Sequence, residues 1–268
     1  MANSIKITFL GTCSGTEPVA GFKHVSFVIE QNGGAYWFDA GEGCSYTAHL
    51  MGINLLATRA IFITHTHMDH VGGLANLLWN FRKLQTRLPA GAPRPLAGKT
   101  IPVFIPNFKT WRGVSQILSG TEGNYKTDFN LWAKKIKKGL IYQNASFSVR
   151  AMPNKHLGIP ADGASWLSFS FIIRAGKKTI VYSGDLGEIR EVEPLLKSKV
   201  DLLLMETGHY KVEEVCKFVN EYKHNVGLLG FIHHGRAILK NLRVEELKAR
   251  RIIGSRILMT RDGMTLNL

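Results

Sequence analysis

The chain has 268 residues, 45% of them hydrophobic, enough to bury a sizeable core in one large α/β domain or two small ones. No apolar run approaches bilayer length, and Met1-Ala2-Asn3-Ser4-Ile5-Lys6 lacks the basic-then-apolar pattern of a secretory leader, so the composition points to a soluble, cytoplasmic protein without a membrane partner. Three cysteines, Cys13, Cys44 and Cys216, with no C-x-x-C pair suggest neither a disulfide framework nor a thiolate zinc site, and the formal charge of +14 is uneven: residues 81–140 hold twelve Lys and Arg against Glu122 and Asp128.

In chain order, Ile5 to Leu10 alternates apolar and polar residues and runs into Gly11-Thr12-Cys13-Ser14-Gly15, a strand feeding a glycine-rich turn. Val25 to Glu30, the turn Asn32-Gly33-Gly34, and Ala35 to Phe38 predict a β-hairpin that ends in Asp39-Ala40-Gly41-Glu42-Gly43. Tyr46 to Met51 reads as a short helix closed by Gly52, and Arg59 to Thr64 as a buried strand. Val71, Leu74, Ala75 and Leu78 then repeat at helical spacing. Residues 86 to 100, with Pro89, Pro93 and Pro95 among glycines, form a loop.

Part of this pattern recurs. Ser26-Phe27-Val28-Ile29-Glu30 through Asp39-Ala40-Gly41-Glu42-Gly43 aligns without gaps, at an offset of 144, with Ser170-Phe171-Ile172-Ile173-Arg174 through Ser183-Gly184-Asp185-Leu186-Gly187. After the second copy a helical stretch (Glu188 to Lys197), a strand (Val200 to Met205), a helix (Val212 to Tyr222) and another strand (Val226 to Ile232) are expected. The expectation is two similar β-rich halves with helices outside, forming one domain over residues 1–268.

The chemistry concentrates in His65-Thr66-His67-Met68-Asp69-His70, at the end of a buried strand and the start of a helix. In extended chain, residues two apart face the same way, so His65 and His67 can present nitrogens to one ion while Asp69 and His70 turn toward a second. Neutral imidazole and carboxylate donors suit divalent ions, Zn first, with Mn and Fe as alternatives. Three histidines and an aspartate in six residues would rarely serve packing, since burying them unpartnered costs several kcal/mol. Further donors stand where strands meet loops: His156, Asp185 in Tyr182-Ser183-Gly184-Asp185, and His233 and His234 after Leu228 to Ile232. The choice between His233 and His234 stays open, with the following Gly235 favouring His234 slightly.

The order H-x-H-x-D-H, isolated His, Ser-Gly-Asp turn and final His resembles the metallo-β-lactamase fold over nearly the whole chain. That resemblance implies an α/β (α+β) four-layer αββα sandwich, with His65, His67 and His156 on one metal, Asp69, His70 and one of His233 or His234 on the other, and Asp185 bridging both. Phe9-Leu10-Gly11-Thr12 and Phe38-Asp39-Ala40-Gly41-Glu42-Gly43 are similar to motifs of the tRNase Z branch and its phosphodiesterase neighbours. Two motifs depart from that branch. Its His-Glu-Ala-Thr proton-donor motif is Met205-Glu206-Thr207-Gly208 here, and its His-Phe-Ser is His233-His234-Gly235. The glycine- and proline-rich arm of that branch has no counterpart unless residues 86–100 are a reduced version.

Two cations in such a site lower the pKa of a shared water and hold it as a bridging hydroxide, so the expected protein is a metal-dependent hydrolase. Asp69, Glu206 and His209 are the candidate catalytic residues: Glu206, like Asp39, would orient histidines, and His209 would replace the missing histidine as general acid. The favoured substrate is a phosphodiester, as RNA or a nucleotide. The basic segment 81–140, interleaved with Phe81, Phe104, Phe108, Trp111, Tyr125, Phe129 and Trp132, supports a nucleic-acid partner. Hydrolysis of a small ester, lactone or amide is the alternative, and a non-catalytic binding module ranks last. A homodimer is an expectation of the resemblance.

Overall fold

The computed structural model describes residues 5–268; the first four residues of the stretch read for a leader lie outside the described residues. The strands in chain order are β1 (Lys6–Gly11), β2 (Ser26–Gln31), β3 (Gly34–Phe38), β4 (Thr58–Phe62), β5 (Thr100–Ile105), β6 (Asn130–Lys135) and β7 (Gly139–Gln143). There follow β8 (Phe147–Pro153), β9 (Phe169–Ala175), β10 (Lys178–Tyr182), β11 (Val200–Glu206), β12 (Val226–Ile232), β13 (Ile257–Met259) and β14 (Thr265–Asn267). The α-helices are α1 (Cys44–Leu50), α2 (Met68–Val71), α3 (Leu74–Thr86), α4 (Phe108–Ser119), α5 (Val212–Glu221) and α6 (Arg236–Ile253). Residues fall into two compact units, one of residues up to Gly11 with Lys23–Lys135 and Asp262–Asn267, the other of Thr12–Phe22 and Ile136–Arg261.

The first unit holds a seven-stranded mixed sheet of order β14-β1-β2-β3-β4-β5-β6. On one face Val28, Trp37, Ile61, Ile63, Val103 and Ile105 pack against Leu74, Leu77 and Phe81 of α3 and Val114 and Leu118 of α4. On the other, strand register places Phe27, Phe38, Phe62 and Phe104 side by side, and their rings stack at 5.0 Å intervals. The ladder ends at β6, where the Lys134 ammonium lies 5.7 Å from the Phe104 ring and 3.8 Å from that of exposed Trp132.

The second unit holds the sheet β13-β12-β11-β10-β9-β8-β7. Val181, Leu203, Met205, Leu229 and Phe231 meet Val215, Cys216 and Val219 of α5 and Ile238 and Ala249 of α6. The repeat seen in the sequence is larger than one hairpin. In each unit an antiparallel hairpin (β2–β3, β9–β10) is followed by a strand parallel to its second arm (β4, β11), and the β1-to-β6 order matches the β8-to-β13 order.

One element differs from the sequence expectation. The helical spacing across Val71 to Leu78 is realised as α2 and α3 broken at Gly72–Gly73, because the chain there approaches Ala40–Gly41 too closely for a side chain. The helical stretch expected over Glu188 to Lys197 is present as a 3₁₀ helix over Ile189–Leu196, and it contains Pro194, which cannot donate to a helical ladder. All three cysteines are free and buried. Among the described residues no helix is long and apolar enough to cross a membrane.

Candidate functional site

Each unit carries one histidine cluster. In the first, β4 delivers Thr64 and His65 fully buried, and the chain leaves in extended form at His67 (φ −67, ψ 153) before the single turn α2 reverses it. That turn, closed by His70 N and Val71 N on the His67 carbonyl, brings Asp69 and His70 back toward the strand end. His65 Nε2 and His67 Nδ1 are 3.1 Å apart, near the roughly 3.3 Å that two ligands of one tetrahedral zinc adopt at Zn–N lengths of about 2.0 Å. His70 Nε2 lies 3.4 Å from Asp69 Oδ2.

Asp39 organises this cluster. It sits just past β3 in the left-handed region (φ 54), accepts from Thr64 N at 2.7 Å and Thr64 Oγ1 at 2.9 Å, and takes the His70 Nδ1 hydrogen at 2.8 Å. With Nδ1–H committed to the carboxylate, His70 keeps its Nε2 lone pair as a donor to an ion. The glycines of Asp39-Ala40-Gly41-Glu42-Gly43 have a steric reason: a Cβ on Gly41 would lie 2.4 Å from the Asp69 carbonyl, and one on Gly73 2.3 Å from the Gly41 carbonyl.

In the second unit Asp185 follows the turn at Gly184 (φ 56), and its Oδ2 lies 3.4 Å from His233 Nε2, 3.7 Å from His156 Nε2 and 4.0 Å from His209 Nδ1. Asp185, His209 and His233 offer ligand atoms within 4.8 Å of one another and could hold a metal ion. Glu206, fully buried at the end of β11, accepts from Leu186 N at 2.8 Å, from His209 N at 3.1 Å and from His209 Nδ1 at 2.8 Å, with His233 Nδ1 at 3.5 Å. Burial works to raise its carboxyl, but the hydrogen bonds from His209 and His233 prevail and hold it below the ordinary range. The Glu206 hydrogen bond raises His209 in turn, against its partial burial.

The adjacent histidines diverge. His233 takes a left-handed backbone (φ 53) that turns its ring into the Asp185 cluster, and Gly208 must be glycine because a Cβ there would lie 2.6 Å from that ring. His234, also fully buried, donates its Nε2 hydrogen to the Thr260 carbonyl at 2.8 Å, while its backbone pairs with Thr12 and Ser14. The slight preference for His234 drawn from the following glycine is therefore not what the side chains do: His233 joins Asp185 and His209, and His234 does not. Met205, in the place of the branch histidine, is a core residue against α5 and α6.

Sequence reading missed two positioning residues. Thr64 links Asp39, His65 and His70 through one hydroxyl. Buried Asn154 accepts from His156 N at 3.3 Å and donates to Ser170 Oγ at 3.2 Å, anchoring the His156 loop. The only available signal was a polar residue beside each motif.

A family model described as Anti-Pycsar protein Apyc1 matches residues 5–241. Ribonuclease Z of Crocosphaera subtropica is 30% identical over 163 residues, which cover 59% of this chain and 46% of that relative, so the match spans about half the relative's length. Two solved structures follow the chain nearly throughout. The metallo-β-lactamase fold protein YhfI from Bacillus subtilis has a TM-score of 0.72 at 16% identity, covering 99% of this chain and 100% of its own. Human short-form tRNase Z has a TM-score of 0.64 at 17% identity, covering 97% and 98%. The expected metallo-β-lactamase fold and the resemblance to the tRNase Z branch are thereby borne out.

Proposed function

The chain belongs to the Anti-Pycsar protein Apyc1 family and has the metallo-β-lactamase fold, and on that premise we propose that it is a metal-dependent hydrolase that cleaves phosphodiester bonds of nucleotides or RNA. The observation that carries the reading is that each histidine cluster is locked by its own buried carboxylate, Asp39 on His70 and Glu206 on His209. This arrangement fixes which ring nitrogen carries the hydrogen, leaving His70 Nε2 to donate to an ion and His209 Nε2 to hold a proton.

The donor set fits a divalent ion of the zinc class: every donor is an imidazole nitrogen or carboxylate oxygen, and His65, His70, Asp185 and His233 are buried where such an ion would be shielded from water. Following the ordered motifs of the fold, His65, His67 and His156 would hold one ion, Asp69, His70 and His233 the second, and Asp185 both, within a single domain of residues 1–268. Two bound cations would supply an activated water and neutralise charge on the attacked phosphoryl group. His209, half-exposed and with its pKa raised by the Glu206 hydrogen bond, gives its proton to the departing oxygen. Glu206 keeps that ring in place, and Asp39 with Thr64 does the same for His70.

The test is turnover of bis(p-nitrophenyl) phosphate against p-nitrophenyl acetate by zinc-loaded protein, with His67→Ala as control. Diester cleavage abolished by the substitution supports the proposal; acetate cleavage alone would move the protein to small-ester hydrolysis, and no turnover with full zinc occupancy would sink the enzymatic reading. A mononucleotide carries a diester only when its phosphate closes a ring, so a 3′,5′-cyclic mononucleotide against a short single-stranded RNA decides between the two substrate forms.

A further inference from the structure

Within the first unit, α4 and the chain from residue 124 to 131 line a cavity of about 320 Å³, at the lower end of the roughly 300–1,000 Å³ range of small-ligand pockets. It shares no residue with the histidine clusters. Trp111, Ser115 and Leu118 project from one face of α4 at helical spacing, and Asn124, Tyr125 and Asn130 form the opposite wall. None of the lining side chains is charged. The Asn124 and Asn130 amides and the Ser115 hydroxyl make no hydrogen bond among the described residues, so both donors and acceptors are available to a ligand.

The wall is built at a conformational cost. Gly123, Asn124 and Tyr125 are consecutive left-handed residues (φ 70, 49 and 52), a backbone that glycine takes freely, asparagine tolerates and tyrosine resists. Several bonds hold it there: Tyr125 OH donates to the Leu78 carbonyl at 2.6 Å, Arg82 Nε donates to the Lys126 carbonyl at 3.2 Å, and Glu122 pairs with Lys83 and Arg82. Backbone held in strain by its surroundings gathers at ligand clamps, where it fixes the shape before the ligand arrives.

The cavity edge is tied to the neighbouring strand, the Lys99 carbonyl accepting from Asn130 N at 2.8 Å. The nearby acids are committed elsewhere, Asp128 to Arg94 at 3.0 Å and Glu122 to Lys83. Aromatic walls with amide edges and no lining charge match an uncharged, flat, hydrogen-bonding ring. We propose that this cavity is a second ligand site that receives a nucleobase. The site goes beyond the hydrolytic reading and stands whichever bond the histidine clusters cleave.

Isothermal titration of the zinc-loaded protein with adenosine 5′-monophosphate, a single-stranded hexanucleotide and inorganic phosphate tests it. Ser115→Leu, which fills the cavity from a helix position that tolerates leucine, is expected to weaken nucleotide binding at least tenfold and leave bis(p-nitrophenyl) phosphate turnover within twofold. Asn124→Gly with Asn130→Ala, which suits the left-handed backbone and removes the polar edges, should weaken it several-fold and carries the test if Ser115→Leu fails to fold. Mononucleotide binding supports a free nucleotide as the source of the base, and hexanucleotide binding alone supports a strand. Unchanged affinity in the variants, equal affinity for inorganic phosphate, or binding of neither nucleotide would overturn the proposal.

Discussion

Glu206 and His209 are three residues apart and make one charge-assisted pair at 2.8 Å, so what either does at the site is set by the other. If His209 protonates the leaving oxygen, His209→Asn lowers kcat by about 10²- to 10⁴-fold on a diester that expels a ribose hydroxyl, and far less on one that expels p-nitrophenolate, which leaves without a proton. Steady-state rates on the two substrates check this; equal losses would mean a structural role. Because the Glu206 hydrogen bond raises His209, the active protonated form persists above the ordinary histidine range, and Glu206→Gln should shift the alkaline limb of the pH profile downward. His234 is the opposite case: burial pushes it down to about 4 from 6.5. The unfolded chain then takes up this proton first as pH falls, so the stabilisation is complete above pH 6.5 and is lost on acidification toward 4, on the order of 3 kcal/mol. Urea melts of zinc-free protein between pH 7 and 4.5 should show that loss in the wild type and less of it in His234→Gln, whose amide can still donate to Thr260; parallel curves would refute the assignment.

At the scale of elements, the break between α2 and α3 presents the cluster of the first unit. Gly73 N donates to the Ala40 carbonyl at 2.8 Å and Ala40 N to the His70 carbonyl at 2.7 Å, which ties the one-turn helix to the end of β3. A methyl at Gly73 would meet the Gly41 carbonyl at 2.3 Å. Gly73→Ala should therefore cost about 1–3 kcal/mol, as overpacking does, and lower Tm by several degrees in a thermal melt. It should also weaken zinc binding measured by chelator competition, since His70 moves with the tie. Helical periodicity alone could not reveal the break, because Val71, Leu74, Ala75 and Leu78 keep their spacing whether or not the axis is interrupted. The helical stretch expected over Glu188 to Lys197 was legible, and Pro194 within it gives the reason it forms a 3₁₀ helix. Strand β6, Asn-Leu-Trp-Ala-Lys-Lys, stayed unread because an edge strand with one neighbour buries little and shows no clean alternation.

For the whole molecule the governing quantity is the charge of +14, with residues 81–140 carrying twelve of the 34 Lys and Arg. A single-stranded RNA substrate touching the protein through three phosphates should lose roughly 20-fold affinity between 50 and 200 mM salt, whereas a mononucleotide should lose far less. KM measured against salt for both substrates reads the difference; a flat response for RNA would remove the basic segment from substrate binding. The fold was legible in the sequence because its signals are contiguous: the H-x-H-x-D-H run, the hairpin repeated at an offset of 144, and the alternation that makes each strand. Tertiary structure decided what depends on partners distant in the chain. Asp39 meets Thr64 across 25 residues and Glu206 meets Leu186 across 20, and those pairings follow from which strands become neighbours, β3 with β4 and β10 with β11, which a local residue pattern does not specify. The choice of His233 over His234 turned on one left-handed residue at the end of β12, since a single backbone dihedral sends two adjacent, chemically identical side chains to different surroundings.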